Sequence, residues 1–94
     1  GYLPVPEVER AARLRELEAE SKARSCTQVF IETPYRNAPM LATLANVLAP
    51  RTRLAVAADL TLPTESVAMR PAADWRRVDA AAYRKRPAIF LMQA

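Results

Sequence analysis

The sequence predicts an α/β fold: a single domain with a mixed sheet of about four or five strands and helices on its faces. Segments with the three-to-four-residue apolar spacing of helices alternate with short, continuous apolar runs that are typical of buried strands. The chain has 94 residues, the size of one domain, and its 51% hydrophobic and 26% charged content is ordinary for a globular protein.

The first half of the chain predicts a helix, a strand and a second helix. Residues 1–6 carry two prolines and suit a connector between domains. A loose apolar stripe over residues 7–22 predicts the first helix. Residues 26–32 have a continuous apolar centre, which predicts a strand buried on both faces. Asn37 is the predicted N-cap of the second helix, which is expected to end before Pro50.

The second half predicts two strands, a short helix and a last strand. Residues 53–57 are rich in small apolar side chains and predict a buried strand, and residues 66–70 predict a short third strand. A short helix around residues 71–78 is expected to pack Trp75 against the sheet. A polar, basic segment then leads to a last apolar strand at residues 87–92.

The residue types that the chain lacks limit its chemistry. It has no histidine, which excludes Ser-His-Asp and Cys-His catalysis and the usual zinc and iron sites, so we predict no metal site. Its single glycine is Gly1, so no glycine-rich loop can hold a phosphate or a nucleotide-like ligand. Such a ligand would have to be bound mainly by another domain or chain.

Composition also bears on location and partners. Cys26 is the only cysteine, and no apolar run approaches the ~20 residues of a membrane span, so we predict a cytoplasmic protein with no membrane partner. The net charge of +4 comes almost entirely from arginine. It is compatible with an acidic partner such as RNA, or with arginine that serves only solubility.

Residues 29–37, VFIETPYRN, predict a site. The apolar run ends at the carboxylate of Glu32, and a turn through Thr33 precedes the next helix. Open α/β sheets place ligands where strands end before helices. Asp59 follows the second apolar strand in the same way. If these two strands run parallel, Glu32 and Asp59 should lie at one edge of the sheet.

Four segments, in chain order, are similar to segments of a known enzyme family. Residues 1–4 (GYLP) are similar to the family's Gly-Phe-Leu-Pro, and residues 56–61 (VAADLT) are similar to its Val-x-Arg-Glu-Leu-Thr. Residues 27–36 are similar to its Thr-x-x-Phe-Tyr-Glu-Ser-Pro-His-Arg, in which Phe30, Glu32, Pro34 and Arg36 match. Residues 86–92 are similar to its final strand. The chain thus resembles the tetrapyrrole (corrin/porphyrin) methylase family of class III S-adenosylmethionine-dependent methyltransferases. Within it, the most similar branch contains the ribosomal small-subunit RNA methyltransferase I.

The resemblance implies that residues 1–94 are the C-terminal domain of a two-domain methyltransferase, with residues 1–6 as the connector. It implies that S-adenosylmethionine lies in the cleft between the two domains, that the enzyme is a homodimer, and that the acceptor is RNA or a small molecule. The chain alone is expected to be inactive. The cofactor-binding residues implied by the resemblance are Ile31, Glu32, Thr33, Asp59, Thr61 and Pro87.

No residue is assigned a catalytic role, and Glu32 is the candidate base if the acceptor must lose a proton. Simpler roles remain open for the same residues. Glu32 could form a salt bridge with Arg36 or cap the next helix, Asp59 could form a turn, and Pro87 could merely start a strand. For the whole chain, the alternative is a non-catalytic RNA- or protein-binding (dimerisation) module on the same half-fold. In either case we expect an apolar face of the domain to be exposed.

Overall fold

The computed structural model describes residues 7–32 and 36–94, and the predicted connector 1–6 lies outside them. The described elements are α1 (Glu7–Arg24), β1 (Gln28–Ile31), α2 (Asn37–Val47), β2 (Arg53–Ala58), β3 (Ser66–Pro71), α3 (Ala72–Trp75), a 3-10 helix (Ala80–Tyr83) and β4 (Ala88–Gln93). The predicted α/β class is confirmed, as are the order of the seven predicted elements and a four-stranded sheet. The 3-10 helix was not predicted.

The sheet has the strand order β1-β4-β2-β3. The sheet was expected to be mixed, but each neighbouring pair of these four strands is antiparallel, and β4 lies between β1 and β2. Because both flanking strands are antiparallel to β4, β1 and β2 run in the same direction without being hydrogen-bonded to each other. Apolar periodicity does not encode strand direction, so the sequence could not predict this arrangement.

The core lies between the helices and one face of the sheet. Phe30, Phe90 and Val56 form one row across three strands and are almost completely buried. Trp75 reaches the sheet as predicted, and its indole N–H donates to the carbonyl oxygen of Leu54 at 2.7 Å. All the described helices contribute to this cluster, through Leu14, Met40, Leu41, Leu44, Ala45, Ala72, Trp75 and Tyr83.

The C-terminus of α1 is tied to two strands through Ser21. Its hydroxyl donates to the carbonyl of Cys26 at 2.5 Å, just before β1, and accepts from the amide of Ala94 at 3.0 Å, just after β4. Ser25 has a left-handed φ of 50°, which ends the helix. These contacts fix α1 across the ends of β1 and β4.

The opposite face of the sheet, called here the outer face, carries apolar side chains that no described helix covers. Val67 and Met69 on β3 are 67% and 65% exposed, and Val29 and Ile31 on β1 are also exposed. The other apolar members of the outer face are Ala55, Ala57, Ile89 and Leu91. The predicted burial of β1 on both faces is therefore wrong for the described chain, whereas the expected exposed apolar face is confirmed.

Within residues 7–32 and 36–94, no helix combines the length and hydropathy needed to span a membrane.

The two faces of the sheet should respond differently to truncation. Phe90→Ala should lower the free energy of unfolding by about 3–5 kcal/mol, because the buried ring leaves a cavity. Met69→Ala, on the outer face, should change it by no more than about 0.5 kcal/mol. Urea unfolding of the dilute 94-residue chain, followed by circular dichroism, measures both. Similar losses for the two variants would contradict this description of the core.

Candidate functional site

The C-terminal ends of β1 and β2 and the start of β4 meet at one edge of the sheet. They surround a cavity of about 450 Å³, lined by Ile31, Glu32, Ala57, Asp59, Leu60, Leu62, Pro87, Ala88 and Ile89. The sequence-based expectation that Glu32 and Asp59 share one edge is confirmed. Four of the predicted site residues, Ile31, Glu32, Asp59 and Pro87, line this cavity. Thr61 does not, although both of its neighbours do, and Thr33 lies outside the described residues.

Glu32 is held by two arginines. Its Oε1 accepts from Arg36 Nε at 3.0 Å, and its Oε2 lies 3.6 Å from an Arg10 side-chain nitrogen. Glu32 and Arg10 are both about 95% buried. The salt bridge to Arg36 that the sequence left open is therefore present. Since each carboxylate oxygen already faces a guanidinium group, Glu32 is poorly placed to act as a general base.

Arg10 was not singled out from the sequence, although one signal was available. It lies four residues before the fully buried Leu14, on the inward face of α1. An arginine at a buried helical position requires a partner for its charge, and Glu32 is that partner.

Asp59 is held by a second network. Its Oδ2 accepts from Arg86 Nε at 2.7 Å and from the Thr64 hydroxyl at 2.8 Å, and its backbone N–H donates to Pro87 O at 2.9 Å. The hydrogen bond from Arg86, and next that from Thr64, hold the pKa of Asp59 below its ordinary value of 3.8. Asp59 thus stays ionised at neutral pH and joins the loop after β2 to the start of β4.

Arg86 makes further contacts within the domain. One terminal nitrogen donates to Thr64 O at 2.9 Å and to Ser66 Oγ at 3.2 Å, and the other donates to Ala82 O at 3.3 Å. The guanidinium also lies 5.5 Å from the centre of the Tyr83 ring. Most of the N–H donors of Arg86 are therefore used within the domain.

Asn37 connects α2 to the same region. The predicted N-cap role is wrong: Arg36 occupies the cap position and no side chain caps the helix there. Asn37 is the first helical residue, and its Nδ2 donates to Arg86 O. Its Oδ1 is buried without a hydrogen-bond partner. The side chain reaches across to the segment before β4 instead of back to the helix N–H groups.

The backbone around the cavity has unusual dihedral angles. Asp59, Thr61 and Lys85 have φ values of 52°, 68° and 60°, in the left-handed region that favours glycine. Thr61 is β-branched, so its conformation is the most costly of the three. Two hydrogen bonds hold Thr61 in this conformation. Its own N–H donates to Glu65 Oε1 at 2.9 Å, and the Leu62 N–H donates to Asp59 O at 2.9 Å. Strain retained beside a cavity is a common property of functional sites.

The chemistry of the cavity is mainly apolar. Leu60 and Leu62 are about half exposed at its rim, and Ala57 and Ile89 belong to the outer face. Its two carboxylates are each paired with arginine. The cavity therefore offers a surface for an apolar or aromatic group, with polar backbone at the strand ends. Five further residues that line the cavity were not predicted from the sequence: Ala57, Leu60, Leu62, Ala88 and Ile89. The available signal was the presence of two leucines in the otherwise polar loop after β2.

Among the residues that the structure describes, no group of three or more cysteine, aspartate or glutamate side chains could hold a metal ion. In comparisons with known proteins, no family model matches the sequence, and no curated protein matches it.

The Asp59 network should make stability depend on pH. A carboxyl group whose pKa is lower in the folded chain stabilises the fold above its unfolded pKa, and this contribution is lost as the pH falls through the folded pKa. We expect Asp59→Asn to be less stable than the parent near neutral pH, with a smaller further loss between about pH 5 and about pH 2. Urea midpoints across this range measure the effect. The exposed Asp74, as Asp74→Asn, is the control, and an acid dependence unchanged by Asp59→Asn would contradict the assignment.

The strain at Thr61 is also measurable. Thr61→Gly should raise the free energy of unfolding by about 1 kcal/mol, because relief of the left-handed strain exceeds the entropy cost of glycine. Thr64 has no left-handed φ and hydrogen-bonds Asp59, so Thr64→Gly should lower stability. Thermal unfolding of the two variants provides the comparison. Destabilisation by Thr61→Gly would show that the loop is not strained at this residue.

Proposed function

We propose that this chain is the C-terminal domain of an S-adenosylmethionine-dependent methyltransferase of the tetrapyrrole methylase type. The cavity at the ends of β1 and β2 would form one wall of its cofactor cleft. The observation that carries the proposal is the convergence of Glu32, Asp59 and Pro87 on one cavity. These residues come from three separate segments that the family resemblance had assigned to the cofactor.

The residues present suit part of the donor. Apolar side chains at Ala57, Leu62 and Ile89 suit the adenosine and thioether portions, and no described lining residue is a lysine or arginine. The lack of a facing cation is favourable for a sulfonium, which is positively charged. The chain has no glycine-rich loop, so the remainder of the donor would be held by a preceding domain.

When bound, the donor supplies the methyl group for an in-line displacement, which depends mainly on positioning. In this proposal the apolar wall excludes water, while the Glu32 and Asp59 ion pairs keep the strand ends rigid. Neither carboxylate is assigned as a base. Their ion pairs make both of them structural, so their replacement would cost stability as well as affinity. The acceptor is RNA or a small molecule, and the single, unpaired Cys26 fits a reaction in the cytoplasm.

The outer face favours one alternative. A sheet that exposes Val67 and Met69 to this extent is suited to covering by another protein layer. A non-catalytic module that dimerises or binds a partner through this face would need no donor. Donor binding therefore separates the two functions, because only the methyltransferase domain requires it.

The test uses the full gene product that contains this chain. It should bind S-adenosylhomocysteine and transfer labelled methyl groups to RNA or small molecules from a cell extract. Ala57→Leu should weaken binding about tenfold or more by filling the cavity, because overpacking of a cavity typically costs about 1–3 kcal/mol. Ala42→Leu, at an exposed position of α2, is the matched control.

Calorimetric titration gives the affinities, and thermal unfolding confirms that both variants are folded. The 94-residue chain alone should bind more weakly than micromolar. Unchanged affinity in Ala57→Leu would remove the cavity from the cofactor site. Failure of the full gene product to bind the donor would contradict the methyltransferase function and favour the binding module.

A further inference from the structure

A second, larger groove lies at the opposite edge of the sheet from the cavity. It has a volume of about 640 Å³ and is bordered by α1, by the segment 49–52 between α2 and β2, and by Ala94 after β4. These elements meet where β2 begins and β4 ends, whereas the cavity lies where β2 ends and β4 begins. The two recesses therefore use different residues.

One wall of the groove is a single face of α1. Arg15, Glu18, Ala19 and Lys22 have the spacing that places side chains on one side of a helix. Glu18 fastens this wall to the facing segment: one carboxylate oxygen accepts from the Ala49 N–H at 2.8 Å and from the hydroxyl of the buried Thr52. The groove is thus built by a specific contact between two elements.

Three cationic side chains line this groove without a carboxylate partner among the described residues. Arg15, Lys22 and Arg51 line it and are exposed. Among the described residues, no ion pair joins any of the three to a carboxylate. The acidic side chain in the groove, Glu18, is occupied by its two hydrogen bonds with the facing segment.

Other arginines of α1 behave differently. Arg10, Arg13 and Arg24 each lie within ion-pair distance of a glutamate. The cations of α1 that line the groove are therefore without an ion pair, whereas these other arginines of the helix are paired with glutamates. Ala19, Ala49 and Pro50 provide a small apolar floor between the cations.

We propose that this groove binds phosphate groups. A guanidinium presents a planar fork of donors that matches phosphate oxygens, and an ammonium adds a compact charge. Lys22 follows Arg15 by seven helical positions, about 10 Å along the axis. Arg51 faces them from the other wall. This spread fits a ligand with at least two neighbouring phosphates, supplied by a nucleic-acid backbone or by a free oligophosphate.

Two probes distinguish these sources: inorganic tripolyphosphate, followed by calorimetry, and a fluorescent single-stranded RNA, followed by anisotropy at low and moderate salt. The 94-residue chain should bind at least one of them. Arg51→Gln and Lys22→Gln should each weaken binding several-fold to about tenfold, with a shallower salt dependence for RNA. Arg77→Gln removes one exposed arginine outside the groove and is the matched control.

If the chain binds tripolyphosphate and Arg51→Gln weakens this binding, the groove is an oligophosphate site. If the chain binds only RNA and Arg51→Gln weakens that binding, the groove is a nucleic-acid contact. An equal loss in Arg77→Gln would mean diffuse attraction to a basic protein and would overturn the proposal. Absence of binding by both probes would also overturn it. The three replaced side chains are exposed, so the variants should fold, and a thermal unfolding curve verifies this. The outcome is independent of donor binding at the other edge.

Discussion

The guanidinium of Arg86 holds together the edge of the sheet on which the candidate site is built. It binds Asp59 after β2, Thr64 before β3, Ser66 at the start of β3, and Ala82 in the 3-10 helix. Its own backbone carbonyl accepts from Asn37 at the start of α2. Without this residue, the loop between β2 and β3 would leave a buried carboxylate without its cation, which is among the costlier changes in a protein interior. The shape of the cavity follows from this junction.

Much of the fold could be predicted from the pattern of apolar residues. The helical stripe of α1 and the apolar runs of β2 and β4 were placed within one or two residues of their observed bounds. Local patterns indicate what a segment becomes, because burial follows the period of the element. They do not indicate which strand lies next to which. That β4 separates β1 from β2 depends on long-range packing, and so does the choice of which apolar face the helices cover.

The site was only partly predictable, for a similar reason. The positions of Glu32 and Asp59 after apolar strands were visible in the sequence, and the structure brings them to one edge. The salt bridge between Glu32 and the nearby Arg36 was one of the roles left open, but Arg10 and Arg86 were harder to predict, because they are distant in sequence from the acids that they bind. The left-handed backbone at Thr61 has no sequence signal at all, since threonine normally avoids that conformation. The methyltransferase resemblance itself remains a prediction.

The two recesses differ in the charge of the side chains that line them. At one edge, each carboxylate is matched by arginine and the exposed surface is apolar. At the other edge, three cations share a groove in which the carboxylate of Glu18 is engaged by the facing segment. A negatively charged molecule would therefore meet three cations in the groove, whereas no lysine or arginine lines the cavity.

The central position of β4 has a consequence for how the chain acquires its structure. The last strand in the sequence occupies the space between two strands that precede it by about 30 and 60 residues. During synthesis, β1 and β2 leave the ribosome with no strand between them, and β2 can pair only with β3. The helices can form early, but the sheet cannot close until residues 88–93 emerge. Folding of this domain is therefore expected only after residues 88–93 have left the ribosome, and until then the nascent chain presents unpaired strand edges that a chaperone could recognise.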